Sequence, residues 1–224
     1  MRVAALVASI AAPDADHGAW VEAFALVIGR ADDADSDVLE TVAQAIADAA
    51  LPYAVRESLY RAAIERDRRA LARLFLTASP TVVPPEQIEK ALAPERPLRP
   101  NGKPLSLGER KALARTHKRE QLLLLLRDPH PAVVAILLDN PHVTESDIVR
   151  IASARPAVPE SLSRVAIHGR WSVRHAIKRA VVLNPATPLA DAIRMATTLP
   201  ASERAALAAD VSLPDLLRQH LAEL

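Results

Sequence analysis

Residues 132–152 read AVVAILLDNPHVTESDIVRIA, and residues 176–196 read AIKRAVVLNPATPLADAIRMA. The two stretches align without a gap at a separation of 44 residues. Both contain an apolar run, then an Asn-Pro dipeptide, then a closing Asp-x-x-Arg-x-Ala pattern. Because proline disfavours helical backbone angles in the residue before it, Asn-Pro ends one helix and a second helix follows. The alignment therefore predicts a two-helix module that occurs twice.

Helix-start signals agree with this division. Ser106 and Glu109 have the spacing of a capping box, and Thr144 has Asp147 three residues later. One helix pair cannot bury its apolar faces alone, so neighbouring modules must stack on each other. We therefore predict an all-α fold, an α-solenoid of stacked short helix pairs.

The pattern Asp-Pro-x-Pro-x-Val-Val at 128–134, followed by Asn-Pro-x-x-Thr at 140–144, resembles the leucine-rich repeat variant. That repeat is a relative of the HEAT-like α-solenoids, and the resemblance covers roughly residues 106–224. The chain is also similar to the C-terminal part of a group of uncharacterised bacterial proteins with Trp-Ser and Leu-Asn-Pro signatures, here at 171–172 and 183–185. The resemblance implies a fold and a docking role, but no chemistry.

Three segments divide the sequence. Residues 1–93 are predicted as an N-terminal helical segment, residues 94–105 as a linker with four prolines, and residues 106–224 as the helical repeat region. Residues 53–77 have a helical pattern. The five leucines at 122–126 predict a helix that is buried on nearly every side.

Composition excludes several classes of site. The 224 residues include no cysteine, which excludes disulfides, thiolate metal sites, cysteine nucleophiles and the iron–sulfur domain of the best-known leucine-rich repeat variant protein. The histidines lack HExxH spacing, and no phosphate loop, dinucleotide fingerprint or nucleophile elbow occurs. We therefore predict no catalytic residues, no enzyme activity, no metal and no cofactor.

The predicted location is the cytoplasm. The first twelve residues are interpreted as an amphipathic helix that ends at Pro13, in preference to a signal peptide. No apolar run reaches the ~18 residues that a membrane span requires, so no membrane partner is expected.

Basic residues concentrate in the second half of the chain. Residues 151–200 hold seven Lys or Arg and two Asp or Glu, whereas residues 1–50 hold two and nine. The candidate partner-binding residues are Arg150, Arg170, Trp171, Arg174, His175, Lys178, Arg179 and Arg194. The competing interpretation is a solvated helix face in which Arg150 and Arg194 pair with Asp147 and Asp191. Trp171 fits either a packing anchor at a helix start or a contact residue.

The leading functional hypothesis is a non-catalytic scaffold that docks the acidic surface of a protein partner through this basic face. The alternative is nucleic-acid binding, either to the phosphate backbone or as in the HEAT-like DNA glycosylases, with Asp191 and Trp171 in the site. A net charge of +1 and only six aromatic residues oppose the alternative, because base stacking uses aromatic side chains. An enzyme with dispersed catalytic residues is a third class, which no motif supports.

Overall fold

The structure is a computed structural model that describes residues 2–29, 36–76, 103–128 and 130–224. Within these ranges the chain forms fourteen helices and no β-strand, so the predicted all-α class is confirmed. The chain divides into two compact units. We call Met1–Ala78 together with Leu189–Leu224 the terminal unit, and Ser79–Pro188 the central unit.

The first helices of the terminal unit are α1 (Arg2–Ile10), α2 (His17–Gly29), α3 (Ser36–Ala47), α4 (Tyr53–Glu65) and α5 (Arg69–Leu74). The described helices of the central unit are α6 (Leu107–Ala114), α7 (Arg119–Leu124), α8 (Pro131–Asp139), α9 (Glu145–Ser153), α10 (Pro159–Ile167) and α11 (His175–Val182). The terminal unit closes with α12 (Leu189–Thr197), α13 (Ala201–Ala209) and α14 (Asp215–Ala222).

The core of the central unit lies between alternate helices. Helix α6 packs on α8, α8 packs on α10, and α9 packs on α11. The side chains at the centre are aliphatic and almost fully buried, and each contributes about 1.5–3 kcal/mol of hydrophobic stabilisation. They are Val133, Val134, Leu137, Leu138, Ile148, Leu162, Val165, Ile177 and Val181.

The two Asn-Pro dipeptides have the same contacts. The side-chain nitrogen of Asn140, at the end of α8, donates to the carbonyls of Ala114 and Thr116 at 2.8 and 2.9 Å. The side-chain nitrogen of Asn184, after α11, donates to the carbonyls of Ala152 and Ala154 at 2.7 and 3.0 Å. Each Asn therefore fastens the C-terminal end of an earlier helix, whose last carbonyls have no partner within that helix.

Each of these Asn side chains also fixes the turn that follows it. The side-chain oxygen of Asn140 accepts from the backbone N–H of His142 at 2.8 Å, and that of Asn184 accepts from Ala186 at 3.0 Å. Both residues are nearly inaccessible, at 5 % and 3 % exposure. The sequence alignment of the two modules thus corresponds to an equivalent local structure.

Both predicted helix caps are present. The Ser106 hydroxyl accepts from the backbone N–H of Glu109, whose carboxylate accepts from the Ser106 backbone N–H at 2.9 Å. The Asp147 carboxylate accepts from the backbone N–H and the hydroxyl of Thr144 at 2.9 and 2.7 Å. These bonds satisfy backbone donors at the starts of α6 and α9.

The helix expected over residues 53–77 is interrupted. Helix α4 ends at Glu65 and α5 begins at Arg69, because Asp67 has a left-handed backbone with φ of 53°. The N–H of Arg68 bonds to the carbonyl of Ala63 at 2.8 Å, which closes the α4 end as a Schellman motif. Asp is among the few non-glycine residues that adopt this conformation readily.

The prediction for the five-leucine run is wrong for two of its members. Helix α7 is short, and Leu122, Leu125 and Leu126 are buried. Leu123 and Leu124 are 41 % and 58 % exposed. One side of this short helix is therefore left uncovered, so its apolar composition exceeds what the core takes up.

The terminal unit contains a buried histidine. The Nε2–H of His220 donates to the Thr197 hydroxyl at 2.8 Å, because that hydroxyl itself donates to the carbonyl of Ile193. Burial, followed by the positive charge of Arg73, lowers the pKa of His220 to about 4, with Arg204 adding to the shift and Glu223 opposing it. The ring is therefore neutral at pH 7.

The described residues bear only in part on two sequence predictions, the linker and the expectation about membrane spans. Most of the predicted linker, residues 94–105, lies outside the described residues, and the segment boundaries at 93 and 106 stay predictions. Among the helices that the structure does describe, none has the length and apolar character needed to cross a membrane.

Truncating either clamping asparagine tests the equivalence of the modules. We expect Asn140→Ala and Asn184→Ala each to lower the free energy of unfolding by about 1–3 kcal/mol, since two carbonyls lose their donor. Urea denaturation followed by circular dichroism measures the change. Gln219→Ala, which removes an exposed amide, is the control and should cost less than about 0.5 kcal/mol. If Asn140→Ala and Asn184→Ala cost no more than Gln219→Ala, the assignment of the two asparagines as equivalent helix clamps would be wrong.

The buried histidine predicts a pH dependence of stability. Because the folded state lowers the pKa of His220 from 6.5 to about 4, the unfolded state binds more protons between these values. The contribution of the neutral His220 ring to the free energy of unfolding is complete above pH 6.5, and about 3 kcal/mol of stability is lost as the pH falls to 4. Urea unfolding at several pH values should show this slope in the wild type and in His175→Gln, which alters an exposed ring. The variant His220→Gln should show a smaller change of the free energy of unfolding with pH.

Candidate functional site

Trp171 fixes the turn that leads into α11. Its side chain is 2 % exposed, and its indole N–H donates to the carbonyl of Leu138, at the end of α8, at 2.7 Å. Its backbone N–H bonds to the carbonyl of His168 at 3.0 Å. The guanidinium carbon of Arg170 lies 4.2 Å from the centroid of the indole ring, a cation–π contact. Trp171 therefore packs as an anchor and positions its neighbours.

Basic side chains surround the start of α11. Arg170 and Arg174 are exposed, as are His175 and Arg179, and Arg174 is the N-cap residue. The first turn of this helix contains no acidic residue. Among described residues, neither Arg170 nor Arg174 forms an ion pair. The partial positive charge of a helix N-terminus disfavours cations there, so helix stability does not account for this arrangement.

Lys178 and Arg194 are largely buried. Lys178 is 4 % exposed, and burial lowers its pKa from 10.5 to about 8. Arg194 belongs to the terminal unit, where its guanidinium bonds to the Asp191 carboxylate and to the carbonyl of Leu76. The Arg194 side chain is 11 % exposed, and burial lowers its pKa while Asp191 opposes the shift. Neither cation lies on an open surface.

Arg150 has different surroundings from Arg194. The Asp147 carboxylate, expected to pair with Arg150, instead binds the guanidinium of Arg119 at 2.7 Å. Burial raises the pKa of Asp147, but hydrogen bonds from Arg119 and Thr144 outweigh burial and lower it to about 2. Arg150 is exposed and has no ion pair with a described residue. The two arginines therefore do not project alike from the two modules.

A groove of about 310 Å³ opens beside Arg150. It lies between the end of α7 and the last turns of α9, within the central unit. Its lining residues are Leu123, Leu126, Arg127, Arg150, Ser153 and Ala154. Sequence reasoning named only Arg150 of these six. The five-leucine run was a signal for Leu123 and Leu126 only, and no sequence pattern indicated Arg127, Ser153 or Ala154.

A larger cavity, of about 630 Å³, lies in the terminal unit. Its charged lining residues already have partners: Arg68 binds Glu22 at 3.1 Å, and Arg69 binds Asp67 at 3.1 Å. The charges around this cavity are therefore largely matched within the unit.

Two histidine side chains lie close together in the central unit. The rings of His117 and His142 lie 6.1 Å apart, one on each side of the Asn140 clamp. No group of three or more His, Asp or Glu residues within the described ranges has an arrangement that would hold a metal ion.

Comparisons with protein-family models, with curated proteins and with solved structures find no match to the chain. The resemblance to the leucine-rich repeat variant therefore rests on the residues quoted above.

The buried lysine supplies a stability prediction. In the unfolded state Lys178 keeps its proton up to pH 10.5, whereas in the folded state it loses the proton at about pH 8. Burial of the charged lysine therefore lowers the free energy of unfolding by about 3 kcal/mol below pH 8. This cost disappears as the pH rises to 10.5. We expect Lys178→Met to raise the free energy of unfolding at pH 7, and to raise it by a smaller amount at pH 10. Arg174→Met, at an exposed site, should change it by under about 0.5 kcal/mol at either pH.

Proposed function

We propose that the chain is a helical-repeat scaffold, an α-solenoid of the HEAT-like or leucine-rich repeat variant type, that binds an acidic protein partner. The equivalent clamps at Asn140 and Asn184 support the repeat interpretation, because each copy fastens an earlier helix in the same way. The binding surface is the exposed part of the predicted basic face: Arg150, Arg170, Arg174, His175 and Arg179.

The observation that carries this proposal is the concentration of cations at the start of α11. Stability alone would favour acidic residues in a first helical turn, and this turn has none. A helix N-terminus and neighbouring guanidinium groups together favour an anionic ligand. Arg170 is also held in place over the Trp171 ring, so less side-chain entropy is lost when it binds.

Two observations favour protein over nucleic acid as the ligand. Trp171 is the one aromatic residue among residues 79–188, and its burial leaves no stacking surface for a base. Asp191, the aspartate of the glycosylase-like alternative, is 1 % exposed and bonds to Arg194. A carboxylate-rich protein surface needs neither group.

Reversal of the exposed charges tests the proposal. Arg170, Arg174 and Arg179 are replaced together by glutamate, and Lys178 is left unchanged because a buried glutamate would unfold the unit. The tagged wild type and variant capture proteins from nuclease-treated cytosol of the native cell, followed by mass spectrometry. We expect at least one acidic protein to be captured by the wild type and reduced about tenfold or more with the variant, as for loss of several interface charges.

The matched control is Arg61→Glu with Arg69→Glu, two arginines of the terminal unit whose side chains are 71 % and 72 % exposed. It should capture the same partner as the wild type. Equal capture by all three proteins would contradict the proposal. Retention on duplex DNA that falls steeply with salt, and that the triple reversal abolishes, would favour the nucleic-acid alternative.

A further inference from the structure

We propose that His117 and His142 together bind one divalent metal ion of the class that imidazole prefers, Zn²⁺, Ni²⁺ or Cu²⁺, with water in the remaining coordination positions. The site lies in the central unit, on the two turns that the Asn140 side chain joins. It uses no residue of the basic face, and the scaffold function does not depend on it.

The two imidazole rings are available to a ligand. Both His117 and His142 are exposed, and neither ring has a hydrogen bond or an ion pair with a described residue. Elsewhere the fold uses its histidine nitrogens: both those of His17 are bonded, and Nδ1 of His130 accepts from the start of α8. A neutral imidazole keeps one nitrogen with a lone pair, and this nitrogen is the atom that coordinates a metal.

The separation of the rings fits a shared ion. An imidazole nitrogen binds zinc at about 2.0–2.1 Å, which places the ring centroid about 3.2 Å from the metal. Two rings on one ion therefore have centroids at most about 6.4 Å apart, and about 5 Å apart in tetrahedral geometry. The centroids of His117 and His142 are 6.1 Å apart, with the ring planes inclined at 59°. A movement of about 1 Å in two exposed side chains completes the tetrahedral arrangement.

One buried side chain holds the backbone of both ligands. The Asn140 side-chain nitrogen donates to the carbonyl of Thr116, next to His117, at 2.9 Å. Its side-chain oxygen accepts from the backbone N–H of His142 at 2.8 Å. Because the two turns are already fastened to each other, little backbone freedom is lost when a metal joins the rings.

The second clamp shows that this fastening does not need histidine. After the clamped carbonyl of Ala154 comes Arg155, and the N–H that donates to Asn184 belongs to Ala186. The same hydrogen bonds therefore form with no ring at either position. The histidine pair is a feature of the first clamp alone, and helix fastening does not account for it.

The surroundings select against Ca²⁺ and Mg²⁺. These ions need several oxygen ligands, and within the described ranges no third His, Asp or Glu joins the pair. Lys118 and Arg119 follow His117 in the chain, and Arg119 is already bound by the Asp147 carboxylate. Cations near the site weaken the attraction of a metal that binds by charge, so coordination by nitrogen has to supply the affinity.

Isothermal titration of the full, tag-free chain with zinc chloride tests the site. We expect one saturable site with a Kd below about 100 µM. The variants His117→Gln and His142→Ala should each raise this Kd at least tenfold, because even the loss of an outer-shell partner costs about 10–100-fold. His142→Ala copies Ala186 of the second clamp, and circular dichroism with thermal melting confirms that each variant is folded.

The matched control is His175→Gln, which removes another exposed ring and should change the Kd for Zn²⁺ less than twofold. Nuclear magnetic resonance of the chain with isotope-labelled histidine identifies the ligands, because Zn²⁺ should shift the imidazole nitrogen signals of His117 and His142. Equal affinity of the wild type and both variants would overturn the proposal, as would the absence of saturable binding up to about 1 mM. Displacement of Zn²⁺ by an equal concentration of Ca²⁺ would also contradict it, since two imidazoles do not retain Ca²⁺.

Discussion

The central unit depends on one hydrogen-bonding constraint, which is that the last carbonyl groups of a helix need donors from outside that helix. Asparagine meets this constraint twice, because its side-chain nitrogen reaches two carbonyls at the C-terminal end of α6 or α9 while its oxygen holds the next turn. The terminal unit uses another residue for the same purpose. The guanidinium of Arg56 donates to the carbonyls of Ile46, Asp48 and Leu51, around the end of α3.

These internal bonds determine which arginines are neutralised within the chain. Asp147 binds Arg119, Asp191 binds Arg194, and Asp128 binds Arg110 in a buried pair. Arg150, Arg170 and Arg174 are exposed and form no ion pair with a described residue. Because surface ion pairs add little to stability, a surplus of one sign costs the fold little and gives a binding surface its selectivity.

The sequence was most informative where one residue type determines one backbone conformation. Asn-Pro, Ser106 with Glu109, and Thr144 with Asp147 marked helix ends and starts that the structure contains. The sequence was least informative where the burial or the ion pairing of a side chain depends on residues far away in the chain. Nothing local distinguishes Lys178, which is buried, from Arg179, which is exposed, or shows that Asp147 finds its cation 28 residues earlier in the chain. The left-handed Asp67 and the exposed Leu123 likewise follow from tertiary context.

The asparagine clamp also bears on how such a chain can lengthen. Each copy brings the residue that fastens the helix before it, so the fastening is inherited whenever the segment is duplicated. Tandem duplication of the underlying gene segment would then extend the molecule without new contacts having to evolve at the junction. Later divergence is free to act on positions outside the clamp, as the exposed Arg150 and the largely buried Arg194 illustrate.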